Sequence, residues 1–218
     1  GCLGGGCVPS VPVGPPPARC LGGGPPIEIE DGTRATCADA MAGVSFTFGL
    51  CSCGDVGAPE LSSRTLVDAY DSTMGPYAPG GMGGGVGANG AVRMTSAFEV
   101  SGDLRTAAGT GLTVRGTTTV GQQLHVGSSL RVDATLDVGD DAYVVGPFAG
   151  TGATTIGGVL NTPMCAAVPA TVSPASCVSG AVAVTPPCAC AAADRVRVTA
   201  IVEHYALPAN NDNAAIGL

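Results

Sequence analysis

The sequence predicts an all-β protein built around a short parallel β-helix, a three-sided solenoid in which coils of short strands stack on one another. Three observations predict this fold class. A six-residue step repeats from Leu112 to Ile156, apolar and polar residues alternate inside each step, and the chain combines 35 Gly with no Trp. A core without Trp favours thin, regularly stacked layers over a bulky aromatic interior. No helix of ordinary length is predicted.

The repeats read LTVRGT, TTVGQQ, LHVGSS, LRVDAT, LDVGDD, AYVVGP, FAGTGA and TTIGGV, with mostly apolar first and third positions and a mostly polar middle position. Side chains two residues apart in a strand lie on the same face, so the first and third positions are expected to face the interior of the coil. The predicted core consists of Leu112, Val114, Val120, Leu124, Val126, Leu130, Val132, Leu136, Val138, Val144, Phe148 and Ile156.

Three steps make one coil, because short repeats bury their apolar face only by stacking on neighbours. Residues 18 apart then share a column. The predicted outward columns place no like charges together. They are Thr113–Arg131–Ala149, Thr119–Asp137–Thr155 and His125–Tyr143–Asn161. An earlier step, Phe98–Val100, joins the repeats after an insertion at residues 107–111.

Composition divides the chain into a Pro/Gly/Cys-rich N-terminal arm, residues 1–43, and a β-helix domain, residues 44–218. Within the domain, residues 44–97 and 161–218 are expected to flank or cap the repeats at 98–160. The arm contains several Gly and Pro clusters with little periodicity, which favour an extended segment or a loop.

Three flanking segments have a predicted conformation. Residues 44–50 alternate apolar and polar side chains and predict a half-buried strand that ends in Cys51-Ser52-Cys53. Residues 71–90 are too rich in glycine for regular structure and predict a long surface loop. Residues 195–202 predict another strand.

Ten cysteines in 218 residues predict a disulfide framework in an oxidising compartment, and therefore a secreted or cell-surface protein. Cys51-x-Cys53 and Cys188-x-Cys190 could instead supply four zinc ligands, but structural zinc sites normally use spacers of two to four residues. Disulfides are therefore favoured, and the spacing leaves their pairing open. The candidates are Cys2, Cys7, Cys20, Cys37, Cys51, Cys53, Cys165, Cys177, Cys188 and Cys190.

Charge and motifs exclude several functions. The formal net charge is -8 and the nine Arg are scattered, which argues against a nucleic-acid partner. Lys is absent, so no P-loop or Schiff-base lysine exists. No apolar run reaches the length of a transmembrane segment. The sequence predicts no cofactor and no metal site.

Two histidines and an acidic cluster are candidate sites. His125 is the only histidine in the repeats and its position is outward, so it is predicted to be solvated, as is His204. No catalytic residue is predicted. The cluster Asp133, Asp137, Asp140 and Asp141 could offer oxygen ligands to calcium, but it lacks a spaced Asp/Asn-Gly loop, so a solvated acidic corner is favoured.

The L-x-V hexads from Leu112 to Ile156 resemble bactofilins, polymer-forming bacterial proteins whose β-helices stack end to end into filaments. The segments FTFGLCSCGDV, DAYDSTMGPYAPGG, VGANG and NDNAAIGL also resemble predicted cell-surface proteins of high-GC Gram-negative bacteria. Bactofilins are cytoplasmic and poor in cysteine, so this chain departs from them in compartment and in its flanks. Written as V-[GD]-x-x-[LA]-x, the steps are also similar to hexapeptide-repeat acyltransferases, which use a histidine as general base.

These resemblances imply a non-enzymatic extracellular structural protein that self-assembles head to tail into a homopolymer, with possible association with the cell envelope. The arm is long enough to add a strand to a neighbour. The alternative is a surface adhesin or ligand-binding module that uses the loop at 71–90. An acyltransferase with His125 as base is less favoured, because no neighbouring sequence indicates a coenzyme A site.

Overall fold

The computed structural model divides the chain into two compact units, Phe46–Ala189 and Gly1–Ser45 with Cys190–Leu218. The residues it describes are 26–28, 35–37, 48–57, 64–69, 76–191, 199, 202, 203 and 206. The domain division into 1–43 and 44–218 stays a prediction, because most residues on either side of that boundary lie outside the described ranges.

The unit formed by Gly1–Ser45 and Cys190–Leu218 contains one described strand pair. Strands β1 (Pro26–Glu28) and β2 (Ala35–Cys37) are antiparallel, so the arm is not extended throughout. The sequence signal for this pair is Asp31-Gly32, a dipeptide typical of hairpin turns.

The strand predicted over 195–202 is wrong at Thr199 and Val202, which have helical conformation, as do Glu203 and Ala206. The apolar positions 198, 201, 202 and 205 also fit a helical period. Periodicity alone does not separate a strand from a helix in so short an apolar run.

The unit Phe46–Ala189 is a parallel β-solenoid, as predicted, and it has about five turns. Its strands are β3 (Leu50–Ser52), β4 (Thr65–Val67), β5 (Val86–Ala88), β6 (Val92–Met94), β7 (Phe98–Val100), β8 (Leu104–Thr106), β9 (Leu112–Val114), β10 (Thr118–Val120), β11 (Leu124–Val126), β12 (Leu130–Val132), β13 (Thr135–Val138), β14 (Ala142–Val144), β15 (Phe148–Ala149), β16 (Ala153–Thr162) and β17 (Val172–Ser179). A 3-10 turn, Cys165–Ala167, precedes β17.

The strands form three faces. Face A contains β3, β5, β8, β11 and β14; face B contains β6, β9, β12 and β15; face C contains β4, β7, β10 and β13. The long strand β16 pairs with β13 through its first half and with β14 through its second half, which joins faces C and A into one sheet. Strand β17 runs parallel to β16 along both faces.

The predicted coil register is confirmed in all three outward columns. Arg131 pairs with Thr113 and Ala149 on face B. Asp137 pairs with Thr119 and Thr155 on face C, and Tyr143 pairs with His125 and Asn161 on face A. The insertion at residues 107–111 also occurs as predicted, between β8 and β9.

The interior is a stack of small aliphatic side chains. Of the predicted core residues, all but Phe148 are at most 4% exposed. Phe148 is only partly buried, because it lies in β15, the last strand of face B among the described residues. Four threonines are also buried in the unit: Thr106, Thr118, Thr154 and Thr162.

The solenoid begins earlier than predicted, and the loop predicted at 71–90 is wrong over Val86–Ala88, which form the buried strand β5. Gly87 occupies the middle, outward position of this triplet. A Cβ there would lie 3.0 Å from Pro187 Cβ and 3.2 Å from Cys188 Sγ, so glycine lets the C-terminal segment pack against the strand. The glycine therefore reflects a close approach and not a loop.

The strand predicted from residue 44 to Cys53 is present only near its end, as β3. Residues 44–47 lie outside the described ranges, Phe48 and Gly49 form a bend, and β3 starts at Leu50. Phe48 is nevertheless buried, with 9% exposure, and packs beside Gly87. Phe48 is one of the alternating apolar residues on which the strand prediction depended, and it is apolar because it is buried rather than because it lies in a strand.

Candidate functional site

A column of outward side chains runs along face A. Arg105, His125, Tyr143, Asn161 and Val178 follow one another in register on neighbouring strands. Strands in a sheet lie about 4.8 Å apart, so these side chains are in contact distance of their neighbours. The His125 and Tyr143 rings stack, with 4.5 Å between centroids and an interplanar angle of 12°.

His125 is outward, as predicted, but it is half-buried rather than fully solvated. Its Nε2 lies 3.1 Å from Gln123 Oε1, so the Nε2-protonated tautomer donates to that amide oxygen. Burial lowers the pKa of His125, the nearby Arg105 charge lowers it further, and Asp103 opposes the shift. The ring is therefore held in its neutral form. His204 lies outside the described residues.

A groove of about 350 Å³ opens beside this column on face A. Its walls include Phe48, Asp103, Arg105, Gln122, Pro186 and Pro187. Arg105 donates from Nε and Nη2 to Asp103 Oδ2, at 3.2 and 2.6 Å, and its guanidinium carbon lies 6.0 Å from the centre of the Phe48 ring. Arg105 and Asp103 neutralise each other because they form an ion pair within the groove wall. The groove can therefore form directional hydrogen bonds with a ligand without carrying a strong net charge.

One wall of the groove is a segment we call the strap, residues 184–189. A disulfide joins Cys188 to Cys51 in β3, across 137 positions of sequence. The Asn89 side chain donates to Cys188 O at 2.8 Å and accepts from Cys188 N at 3.1 Å. The strap is thus fixed to β3 by one covalent bond and to the residue after β5 by two hydrogen bonds.

The other described cysteines are also oxidised. Cys165 and Cys177 form a disulfide that ties the 3-10 turn to β17. Cys53 and Cys190 are each disulfide-bonded. The zinc alternative is therefore wrong, because Cys51, Cys53, Cys188 and Cys190 are not free thiolates. Cys2, Cys7, Cys20 and the side chain of Cys37 lie outside the described residues.

In the acidic cluster, Asp133 and Asp141 form ion pairs or hydrogen bonds with residues of the same or adjacent coils of the solenoid. Asp133 Oδ2 accepts from Arg131 Nε at 2.8 Å and lies 3.8 Å from Arg115 Nε. Asp141 Oδ1 accepts from the Val159 backbone N–H at 2.7 Å. Within the described ranges, no group of three or more His, Cys, Asp or Glu side chains is placed to hold a metal ion.

The two ends of the solenoid differ from its middle. We call β3 and β4 the head, and β17 with Met164 the tail. The sheet order begins at β3 and ends at β4, and among the described strands only β16 pairs with β17. Leu50 in the head is 40% exposed, and in the tail Met164 is 60% and Val178 52% exposed.

The tail lies in an uncharged part of the chain. No Asp, Glu, Lys or Arg occurs between Asp141 and Asp194, although the formal charge of the whole chain is -8. Most residues of β17 are exposed. The tail is therefore an exposed strand within an uncharged stretch of the sequence.

Comparisons of the chain with protein-family models, with curated proteins and with solved structures found no match. The resemblance of the hexads to bactofilins therefore stays a prediction. No helix among the described residues is long and apolar enough to cross a membrane.

The groove, the head and the tail were not predicted from the sequence. Asp103 and Arg105 flank Leu104 in an L-R-T step that matches the hexad pattern and indicates an outward Arg105. The tail could have been found from its long uncharged run. Phe48 and the strap had no such signal, because a disulfide across 137 residues brings them together.

Proposed function

We propose that this chain is a non-enzymatic structural protein of the cell surface that self-associates along the axis of its solenoid. The observation that carries the proposal is a parallel sheet at whose two described ends the apolar side chains of Leu50, Met164 and Val178 are exposed. An exposed strand edge is a template for pairing with another chain, and solenoids that stay monomeric cover such edges with polar caps. The uncharged tail lacks the charged side chains that block edge pairing.

The disulfides support the compartment named in this proposal. Cys51–Cys188 and Cys165–Cys177 are formed, and structural disulfides persist mainly in oxidising compartments. A secreted or surface protein meets that condition. The resemblance of the repeats to bactofilins supports the polymeric role.

The experiment is to size the purified oxidised protein by light scattering over a wide range of protein and salt concentrations, and to examine the same samples by electron microscopy. We expect concentration-dependent linear assemblies. Salt should strengthen them, because it screens the repulsion between chains of net charge -8. A monomer under every condition contradicts the proposal.

The groove on face A favours a second candidate, a surface ligand-binding module. It is lined by Gly83 and Gly85 from the predicted 71–90 segment, together with the Arg105–Asp103 pair. Screening against glycan and protein arrays tests it, with Arg105→Ala expected to abolish a true hit. Arg131→Ala is the matched control, because Arg131 also pairs with an Asp two residues away but lies on face B. A hit that survives Arg105→Ala excludes the groove.

A further inference from the structure

The outward columns of faces B and C carry opposite charges at the same spacing. Each column has a charged residue, a threonine and a second charged residue on three neighbouring strands. The face B column is Arg93–Thr113–Arg131, and the face C column is Glu99–Thr119–Asp137. The two charged residues of one column are therefore two strands apart, about 10 Å at the usual spacing of strands in a sheet.

The two columns also lie at the same height along the solenoid. Each acidic residue follows its arginine by six positions, Glu99 after Arg93 and Asp137 after Arg131, and lies in the next strand of the same coil. A second copy that stands beside the first, with both axes in the same direction and no axial shift, therefore brings the acidic column of its face C against the arginine column of face B.

We propose that face B of one copy binds face C of a second copy side by side, with Arg93 opposite Glu99 and Arg131 opposite Asp137. This lateral contact goes beyond the axial self-association of the proposed function, and it uses outward side chains rather than strand edges. Because the two surfaces differ, each pair of copies keeps one free face of each kind, and the contact continues from copy to copy.

Face B is the basic side of an acidic solenoid. The described charges on face B and at its corners are three Arg and two Asp: Arg93, Arg115, Arg131, Asp55 and Asp133. The other described charges of the solenoid are two Arg against six Asp or Glu. A second copy is therefore attracted to face B and repelled by the rest of the described surface. Such complementarity fixes the orientation of a contact more than it adds affinity.

The charged groups of the two columns have room for a partner on another molecule. Arg93 and Arg131 are exposed. Arg93 Nη1 donates to Asp55 Oδ2 at 3.0 Å, and Arg131 Nε donates to Asp133 Oδ2 at 2.8 Å. Each bond uses one of the five N–H groups of its guanidinium, so further donors remain. Asp137 has no ion pair and no side-chain hydrogen bond in the part of the chain that the structure describes, so the Arg131–Asp137 pair is the one to test.

The gap between two facing sheets fits these pairs. Sheets that pack face to face lie about 10 Å apart, and a long arginine side chain opposite a short carboxylate crosses that gap. Thr113 and Thr119 lie opposite each other between the two pairs, where their short side chains leave room for the arginines. Strands of three residues make each face narrow, so a single contact buries little surface and is weak and reversible.

The test reverses the charges of one pair in the full-length oxidised protein. Arg131→Glu and Asp137→Arg each place like charges across the contact. Each should raise the concentration for half-maximal association, measured by sedimentation at about 0.1 M salt, by about tenfold. The double variant Arg131→Glu/Asp137→Arg restores opposite charges between neighbouring copies, so its association should return to within about threefold of wild type.

Two controls make the same changes in net charge outside the two columns. Arg105 also pairs with an Asp two residues away but lies on face A, so Arg105→Glu matches Arg131→Glu. Asp140 is exposed at a corner after β13, so Asp140→Arg matches Asp137→Arg. Both controls should associate as wild type does. Equal melting temperatures show that all the variants are folded.

Salt separates the lateral contact from the axial one. At about 0.1 M salt, charges more than about 10 Å apart are already screened, whereas about 1 M salt also screens the ion pairs of the contact. Lateral association should therefore weaken between these two concentrations, while axial association should not. In electron micrographs, lateral association adds width to an assembly and axial association adds length.

The inference is overturned if Arg131→Glu associates as wild type does, or if the double variant stays as weak as the single ones. Rescue of Arg131→Glu by Glu99→Arg instead of Asp137→Arg also overturns it, because the two copies then run in opposite directions. Long single filaments with either result leave the proposed function standing. Rescued lateral pairs without filaments support the inference and contradict the proposed function, and a wild type that is monomeric under every condition contradicts both.

Discussion

Cys188 of the strap is bonded to Cys51 of β3, so the chain that leaves the last coil returns to the first strand of the same solenoid. The returning segment lies against the outer surface of β5, where Gly87 leaves room for it. Asn89 then fixes the strap through both hydrogen bonds to Cys188. The head and the groove are therefore organised by a contact that the repeats themselves do not supply.

This disulfide should contribute more to stability than the second one. Crosslinks act largely on the unfolded chain, and the loop between Cys51 and Cys188 spans 137 positions, against 12 for Cys165 and Cys177. In the chain-entropy model, the long loop is worth about 2 kcal/mol more. We expect Cys51→Ala/Cys188→Ala to lower the free energy of unfolding in urea by more than Cys165→Ala/Cys177→Ala does. Equal losses would show that native strain or residual unfolded structure dominates.

Because side chains of β11 alternate between the interior and the outside, introducing Asp at two adjacent positions should affect stability very differently. Val126 is fully buried, so Val126→Asp should cost several kcal/mol, about 3 or more, because the carboxyl group finds no partner in the core. His125 is outward beside Arg105, so His125→Asp should cost about 1 kcal/mol at most. Chemical denaturation of both variants checks this, and similar losses would show that the register is wrong.

Replacing Thr154 with an apolar residue of similar shape should stabilise the protein. It is 1% exposed, and its Oγ1 has no hydrogen-bond partner in the part of the chain that the structure describes. Thr154→Val should therefore stabilise the protein by about 1 kcal/mol, by removing a buried unsatisfied hydroxyl. Thr118→Val is the matched control, since Thr118 lies two strands below in the same column and donates to Gly116 O at 3.2 Å. That variant should be neutral or destabilised; a gain at Thr118 and none at Thr154 would contradict the argument.

Much of the solenoid could be predicted from the sequence, because residues 112–156 follow the hexad period and each apolar triplet has one inward pair. The earlier coils were harder. In β5 the triplet Val-Gly-Ala hides the alternation, and β8 ends in Thr106, whose hydroxyl is satisfied inside the core by Thr110 O and Gly127 N. Polar residues with internal partners break the apolar pattern without breaking the fold.

The candidate surfaces depend on contacts that a linear pattern does not contain. The groove needs the strap, and the strap needs a disulfide whose pairing the spacing leaves open. The head and tail follow from which strand is last in each face, and β17 carries no hexad signal because Pro174 and a register shift between Ile156 and Val159 interrupt it. Edges are properties of the assembled sheet rather than of a single segment.

The stability of the protein should decrease as the pH falls below the ordinary histidine pKa of 6.5, and His125 should account for much of the change. Its folded-state pKa lies below 6.5 because burial and Arg105 disfavour the charged ring. The unfolded chain then binds a proton at a pH where the folded chain does not, so the stability that His125 contributes is complete above 6.5 and is lost as the pH falls through the folded-state value. Ordinary carboxyl groups titrate near 4, outside this window.

Urea denaturation of wild type and His125→Gln at several pH values between about 7 and 5 checks this sign. The variant should lose less stability than wild type over this pH range. Titration of His204 does not affect the comparison, because both proteins contain His204. Arg105→Ala removes the positive charge beside the ring, so the pKa of His125 should rise toward 6.5 and the pH dependence should weaken without disappearing, since burial remains the larger cause. NMR titration of the His125 ring measures the shift directly. A folded-state pKa above 6.5 in wild type would show that Asp103 outweighs burial and Arg105, and would reverse the direction of the effect.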